Sequence, residues 1–122
     1  MIKYQVVDAS HPICGEYCPD TVSFRMKKFW ETRYLENCHG AVIATKDDEI
    51  IGFFRYYKYT WPSGGELFGA GTYVLGPFRQ QGVAKKLWAH AIRHVKPSTI
   101  EVTATSKAAI KFLDVLKRKY KD

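Results

Sequence analysis

The sequence predicts a mixed α/β (α+β) domain around one largely antiparallel sheet, in the element order β-α-β-β-β-α-β-α. Three observations predict it. Apolar residues switch between a period of two and a period near four along the chain, so strands and helices alternate. Two strand-like runs, 41–45 and 50–59, flank the polar turn Lys46-Asp47-Asp48-Glu49, which reads as a hairpin. Late in the chain a strand, a helix and another strand follow one another, the pattern of a parallel crossover. At 122 residues, with 46% hydrophobic and 15% aromatic content, the chain is expected to form a single domain over 1–122.

The elements follow in order. Tyr4 to Val7 is a short strand, and Pro12, Gly15 and Pro19 mark a turn-rich stretch after it. Asp20 can cap a helix running to about Glu36, with Val22, Met26, Phe29, Trp30 and Arg33 along one side. The hairpin comes next, and Trp61-Pro62-Ser63-Gly64-Gly65 is expected to break the chain after it. Glu66 to Leu75 reads as a strand, and its Gly69 and Gly71 suggest a bulge or a close backbone approach. A helix is expected from Gln81, where Val83, Leu87, Ala91 and Val95 recur every four, until Pro97 stops it. Thr99 to Ala104 alternates as a strand. Ser106 can cap a last helix with Ala109, Phe112, Leu113, Leu116 and Tyr120 on its apolar face.

Composition narrows the function classes. The longest mostly apolar run, Ile50 to Tyr57, is too short for a membrane span and no segment resembles a cleaved leader, so a soluble, cytoplasmic protein with no membrane partner is expected. Cys14, Cys18 and Cys38 fit no disulfide framework. With His11 and His39 they could suggest zinc, but the spacing matches no common finger or ribbon, so ordinary thiols and no metal are expected. The net charge is +7, and residues 1–75 carry −1 while residues 76–122 carry +8. That surplus suits a phosphorylated cofactor, a nucleic acid, or simply a solvated helix face.

The informative segment is the strand, turn and helix around Arg79-Gln80-Gln81-Gly82-Val83-Ala84. A turn feeding a helix N-terminus presents unpaired backbone N–H groups and the positive end of the helix dipole to an anion such as a pyrophosphate. Gly82 removes a Cβ from the path of the phosphate, and Ala84 keeps the first turn open. The three-glycine dinucleotide fingerprint and the Gly-Lys-Ser/Thr of a P-loop are both missing.

In context, the run Val74-Leu75-Gly76-Pro77-Phe78-Arg79-Gln80-Gln81-Gly82-Val83-Ala84, with Leu87 beyond it, resembles the acyl-CoA motif of the GNAT acetyltransferases. Ala41 to Phe53 is similar to the second and third strands of that family, and Ser106 to Leu113 to its last conserved helix. The resemblance implies a GNAT-like N-acetyltransferase using acetyl-CoA or another acyl-CoA as co-substrate. It implies that Arg79, Gln80, Gln81, Gly82, Val83, Ala84 and Lys85 hold the phosphates, with Arg79, Lys85 or Lys86 reaching those of the adenosine. Thr72, Tyr73 and Val74 would pair with pantetheine and aim an N–H at the thioester carbonyl, and Ser106 completes the cofactor set. The acceptor would be a primary amine of a small molecule, a protein or an aminoacyl-tRNA, the one setting in which nucleic acid is expected as a partner.

The sequence departs from the family pattern where protons move. The tyrosine often found on the last helix is replaced by Leu113, which leaves Tyr73 or Tyr120 as the candidate acid. The positions of the usual base are Phe68 and Ala70, and Glu66, on the same face by alternation, is the nearest ionisable candidate, or else a solvated carboxylate. A catalytically weak binding module is the rival reading. The chain also lacks the final strands of its relatives, so a homodimer is one expected way to cover the edge of the sheet. The aromatics Phe53, Phe54, Tyr56, Tyr57, Tyr59 and Trp61 read as core and acceptor-pocket wall, or as a base-stacking surface. His90 and His94 read as exposed, or as a metal pair.

Overall fold

The computed structural model describes residues 1–19, 22, 26–31, 36–61, 64–96 and 99–101. Over these the order is β1 (Lys3–Asp8), α1 (Lys27–Glu31), β2 (Gly40–Lys46), β3 (Glu49–Trp61), β4 (Gly64–Val74), α2 (Val83–Val95) and β5 (Thr99–Glu101), with 3-10 turns at Pro12–Cys14 and Gly76–Phe78. The strands form one sheet in the order β1-β2-β3-β4-β5. Neighbours are antiparallel except β4 and β5, which run parallel through the crossover that carries α2. The mixed sheet and the late crossover are those expected. Asp20 as a cap, Arg33, residues 102–104 and the last helix, with Ser106, Leu113 and Tyr120, lie outside the described residues. No helix among the described residues is long and apolar enough to cross a membrane.

The β2–β3 turn is as tight as its sequence suggests. Asp47 and Asp48 sit at φ 52° and 66°, the left-handed pair that a two-residue hairpin turn requires. The expected break between the strands is narrower than Trp61 to Gly65: β3 runs to Trp61, β4 starts at Gly64, and the two residues pair. Cross-strand pairing there overrides the local preference of the glycines for a loop.

Both faces of β3 are buried from Ile50 to Tyr56, which explains its mostly apolar run. Phe53 faces α1 and meets Phe29 and Trp30 at 5.0 and 5.2 Å between ring centroids. Phe54 faces α2 and stacks on Trp88 at 4.1 Å. The apolar stripe of α2 closes that side with buried Val83, Leu87, Ala91 and Ile92. Arg55, on the α1 side, is buried too, and its guanidinium donates to the carbonyls of Ile13, Cys14, Gly15 and Glu36.

The expected bulge lies between the two glycines of β4. Arg55 pairs with Gly71 and Tyr56 with Gly69, so Ala70 is the extra residue. Gly71 is at φ 135°, and a Cβ there would come within 2.5 Å of Phe29 Cζ. The Phe29 ring therefore packs on bare backbone, which seats α1 against β4.

Candidate functional site

The end of β4 leads through residues 75–82 into the start of α2. Leu75 N donates to Ile51 O at 2.9 Å, which makes 51 and 75 a hydrogen-bonded antiparallel pair. Such pairs alternate, so Tyr73 also bonds toward β3, while the N–H and C=O of Thr72 and Val74 point away from it. Among the described residues β5 covers this edge only from Glu66 to Phe68, leaving the Thr72 and Val74 groups beyond its reach. The C=O of Val74 accepts from Arg79 Nε at 2.8 Å.

From Val74 the chain turns sharply into α2. Pro77 opens the 3-10 turn Gly76–Phe78, and Arg79 N closes it on Gly76 O. Gln80 and Gly82 then adopt left-handed φ values of 63° and 80°. This corrects the expected helix start: α2 begins at Val83 rather than Gln81, because a left-handed Gly82 cannot lie inside an α-helix. The first hydrogen bond into the helix runs from Lys86 N to Gly82 O at 3.0 Å. The N–H groups of Val83, Ala84 and Lys85 thus have no backbone acceptor among the described residues, and the helix dipole adds partial positive charge beside them. Among the described residues, a Cβ on Gly82 would meet nothing within 4 Å.

The basic side chains divide. Lys85 is exposed at the first turn. Arg79 folds back, with its guanidinium 5.5 Å from the centre of the Tyr73 ring as well as on Val74 O. Lys86 lies over Tyr4, away from the loop. Gln81 is held by Nε2 donating to Pro77 O at 2.9 Å.

The two proton-transfer candidates do not come together. Tyr73 is half-buried beside the β4 edge, stacked on Phe53 with centroids 6.0 Å apart. Glu66 pairs with Tyr59, as Tyr73 pairs with Phe53. The bulge at Ala70 thus places Glu66 and Tyr73 on the same face. At the rise of an extended strand, however, Tyr59 and Phe53 are about 20 Å apart along β3, so the two side chains cannot serve one proton directly. The expected alternation of Glu66 with Phe68 and Ala70 fails at Ala70, where the bulge interrupts it.

Sequence reasoning missed one supporting residue. Trp88 Nε1 donates to Thr72 Oγ1 at 3.2 Å, joining α2 to β4 across the site. The signal was available, since a buried tryptophan needs an acceptor for its N–H. Of the remaining candidates, His90 stacks on Tyr4 at 5.1 Å and burial pushes its pKa down, while His94 is exposed. Among the described residues no three His, Cys, Asp or Glu side chains group as a metal site. Phe53, Phe54 and Tyr56 are core, Tyr57 is half-buried and Tyr59 is exposed.

Known proteins share this fold. A family model described as acetyltransferase (GNAT) family matches residues 7–116. An aminoglycoside acetyltransferase from an uncultured soil metagenomic sample superposes with a TM-score of 0.67 at 15% identity, over 95% of this chain and 90% of that one. A ribosomal-protein-alanine N-acetyltransferase from Brucella melitensis gives 0.59 at 17% identity, over 100% and 92%. An aminoglycoside N-acetyltransferase solved in complex with CoA gives 0.59 at 20% identity, over 98% and 86%. No protein of curated description matches the sequence. At these identities the solved structures establish the fold, while the family match spans nearly the whole chain, including the β4–α2 surface. The chain therefore belongs to the acetyltransferase (GNAT) family of acyltransferase enzymes.

Proposed function

We propose that this protein transfers an acetyl group from acetyl-CoA to a primary amine. The observation that carries the reading is the succession of outward Thr72 and Val74 peptide groups and Val83 to Lys85 amides that, among the described residues, have no backbone acceptor, with space at Gly82. A helix N-terminus of this kind suits an anion such as a pyrophosphate. Arg79, Gln80, Gln81, Gly82, Val83, Ala84 and Lys85 would hold the phosphates, chiefly through backbone N–H groups. Thr72 and Val74 would hold the amide-bearing pantetheine arm by strand-like pairing, with Ser106 as a further proposed contact.

The co-substrate supplies an acyl group already activated as a thioester. The chain's own part is then positioning and charge stabilisation. The outward N–H of Val74 is an oxyanion-type donor at the end of the open edge. Fixing thioester and amine beside it removes the entropy cost of their encounter. Tyr73, adjacent to that edge, is the proposed proton donor to the departing sulfur. Glu66, about 20 Å away along the same face, is better suited to holding a cationic part of the acceptor than to moving the transferred proton. The acceptor would be a small polyamine or aminoglycoside, a protein amine, or an aminoacyl-tRNA drawn by the basic C-terminal third. A cytoplasmic location follows from the co-substrate as a proposal.

The test is release of free CoA thiol from acetyl-CoA across a panel of aminoglycosides, polyamines and peptide N-termini. The expected result is amine-dependent release that falls at least tenfold in Tyr73→Phe. Binding of acetyl-CoA without release on any amine would favour the rival reading of a binding module.

A further inference from the structure

Away from the β4–α2 surface, two cysteines on different segments are held together. Cys14 ends the 3-10 turn after β1, and Cys38 lies two residues before β2. Both are free thiols and both are buried. Cys38 N donates to Cys14 O at 2.9 Å. Ordinary backbone geometry then limits their Cα separation to about 6.8 Å, within the span a disulfide can bridge. Each thiol contacts a carbonyl, Cys14 Sγ that of Asp8 at 3.4 Å and Cys38 Sγ that of Gly40 at 3.3 Å. Cys18 instead contacts Pro19 O at 3.6 Å.

Beside the pair lies Arg55. Its four hydrogen bonds all go to neutral carbonyls, and it has no carboxylate partner among the described residues. A buried cation of this kind favours an anion next to it. The neighbouring Cys14 sulfur, and then Arg55, hold the Cys38 thiol below its ordinary value, against the burial that would raise it. Cys14 is pushed up by the neighbouring Cys38 sulfur and by burial. One sulfur is therefore the attacking thiolate, and the other the thiol that follows it.

We propose that Cys14 and Cys38 form a redox-active dithiol that a small peroxide closes into an intramolecular disulfide. The Cys38 thiolate attacks one oxygen of hydrogen peroxide, the O–O bond breaks, and the departing hydroxide takes up a proton to give water and a sulfenic acid. The Cys14 sulfur then attacks the sulfenic sulfur as its own proton leaves. The S–S bond forms, the S–O bond breaks, and a second water departs. Two thiols are oxidised by two electrons, and the peroxide is reduced to two waters. A dithiol reductant reverses the exchange. The new bond ties residue 14 to residue 38 and encloses α1, whose Phe29 and Trp30 pack on Phe53, so oxidation braces this segment against the sheet.

The test treats the full chain with a small excess of hydrogen peroxide, blocks remaining thiols, and maps non-reduced peptides by mass spectrometry. The expected product is a monomer that has lost two hydrogens, with a Cys14–Cys38 cross-linked peptide, a free Cys18, and a raised Tm that returns on reduction. Cys18→Ser should behave as wild type, and Cys38→Ala should form no intramolecular disulfide. Should Cys14→Ala or Cys38→Ala fail to fold, the wild-type peptide map decides alone. Unreacted thiols, a sulfinic acid at Cys38, or cross-links through Cys18 would each overturn the proposal. None of these outcomes depends on acetyl transfer.

Discussion

Trp88 donates its indole N–H to the hydroxyl of Thr72 at 3.2 Å, and this bond joins the helix that opens at Gly82 to the strand edge that ends at Val74. Helix N-terminus and strand edge are the two halves of the proposed co-substrate site, so their relative position matters to both ends of one long ligand. Trp88→Phe keeps the stack on Phe54 and removes the bond. The expected loss is about 0.5–1.5 kcal/mol of stability in urea denaturation, together with weaker acetyl-CoA binding. Thr72→Val should cost a similar amount, and the double variant less than the sum. Full additivity would show that the bond does not couple the two elements.

Arg55 holds the Pro12–Cys14 turn and the end of the α1 segment through four carbonyls. Arg55→Met leaves these buried oxygens without their charged donor, and a loss of about 1.5–3 kcal/mol is expected. Arg55→Lys should recover little, because an ammonium cannot fork across oxygens on three sides. Urea midpoints check both, and a change in Arg55→Met below the measurement error would contradict the account.

Gly71→Ala forces a side chain onto a φ of 135° and against the Phe29 ring. A destabilisation of about 1–3 kcal/mol is expected from the overpacking, with a changed near-ultraviolet dichroism from the Phe29, Trp30 and Phe53 cluster. Gly76→Ala is the control, since a Cβ there meets nothing within 4 Å and the backbone is not left-handed. Its stability should match wild type.

Much of this was legible in the sequence, for reasons specific to each element. The β2–β3 hairpin announced itself because Asp47-Asp48 tolerates the left-handed turn between two alternating runs. The buried face of α2 followed from the four-residue spacing of Val83, Leu87 and Ala91. Gly82 marked the turn into α2, although its left-handed φ, rather than its small size alone, decides where α2 starts. What stayed hidden depends on register. The outward aim of the Thr72 and Val74 peptides is fixed by pairing with β3, and the face of Glu66 by the bulge at Ala70. The return of Arg79 onto Val74 and Tyr73 has no trace in spacing. The distance between Glu66 and Tyr73, by contrast, was implicit all along, because seven positions on one extended strand cannot converge.

The most direct test of the account is a calorimetric titration with acetyl-CoA of the wild-type protein and of Gly82→Glu. The account predicts one saturable site per chain in the wild type. At a ligand concentration one hundred times Kd, the site adds about 2.7 kcal/mol to unfolding stability. It predicts no measurable binding in a folded Gly82→Glu, whose carboxylate would occupy the space before the amides of Val83, Ala84 and Lys85. A wild-type protein that takes up no acetyl-CoA, or a folded Gly82→Glu that binds it as well as wild type does, would contradict the account.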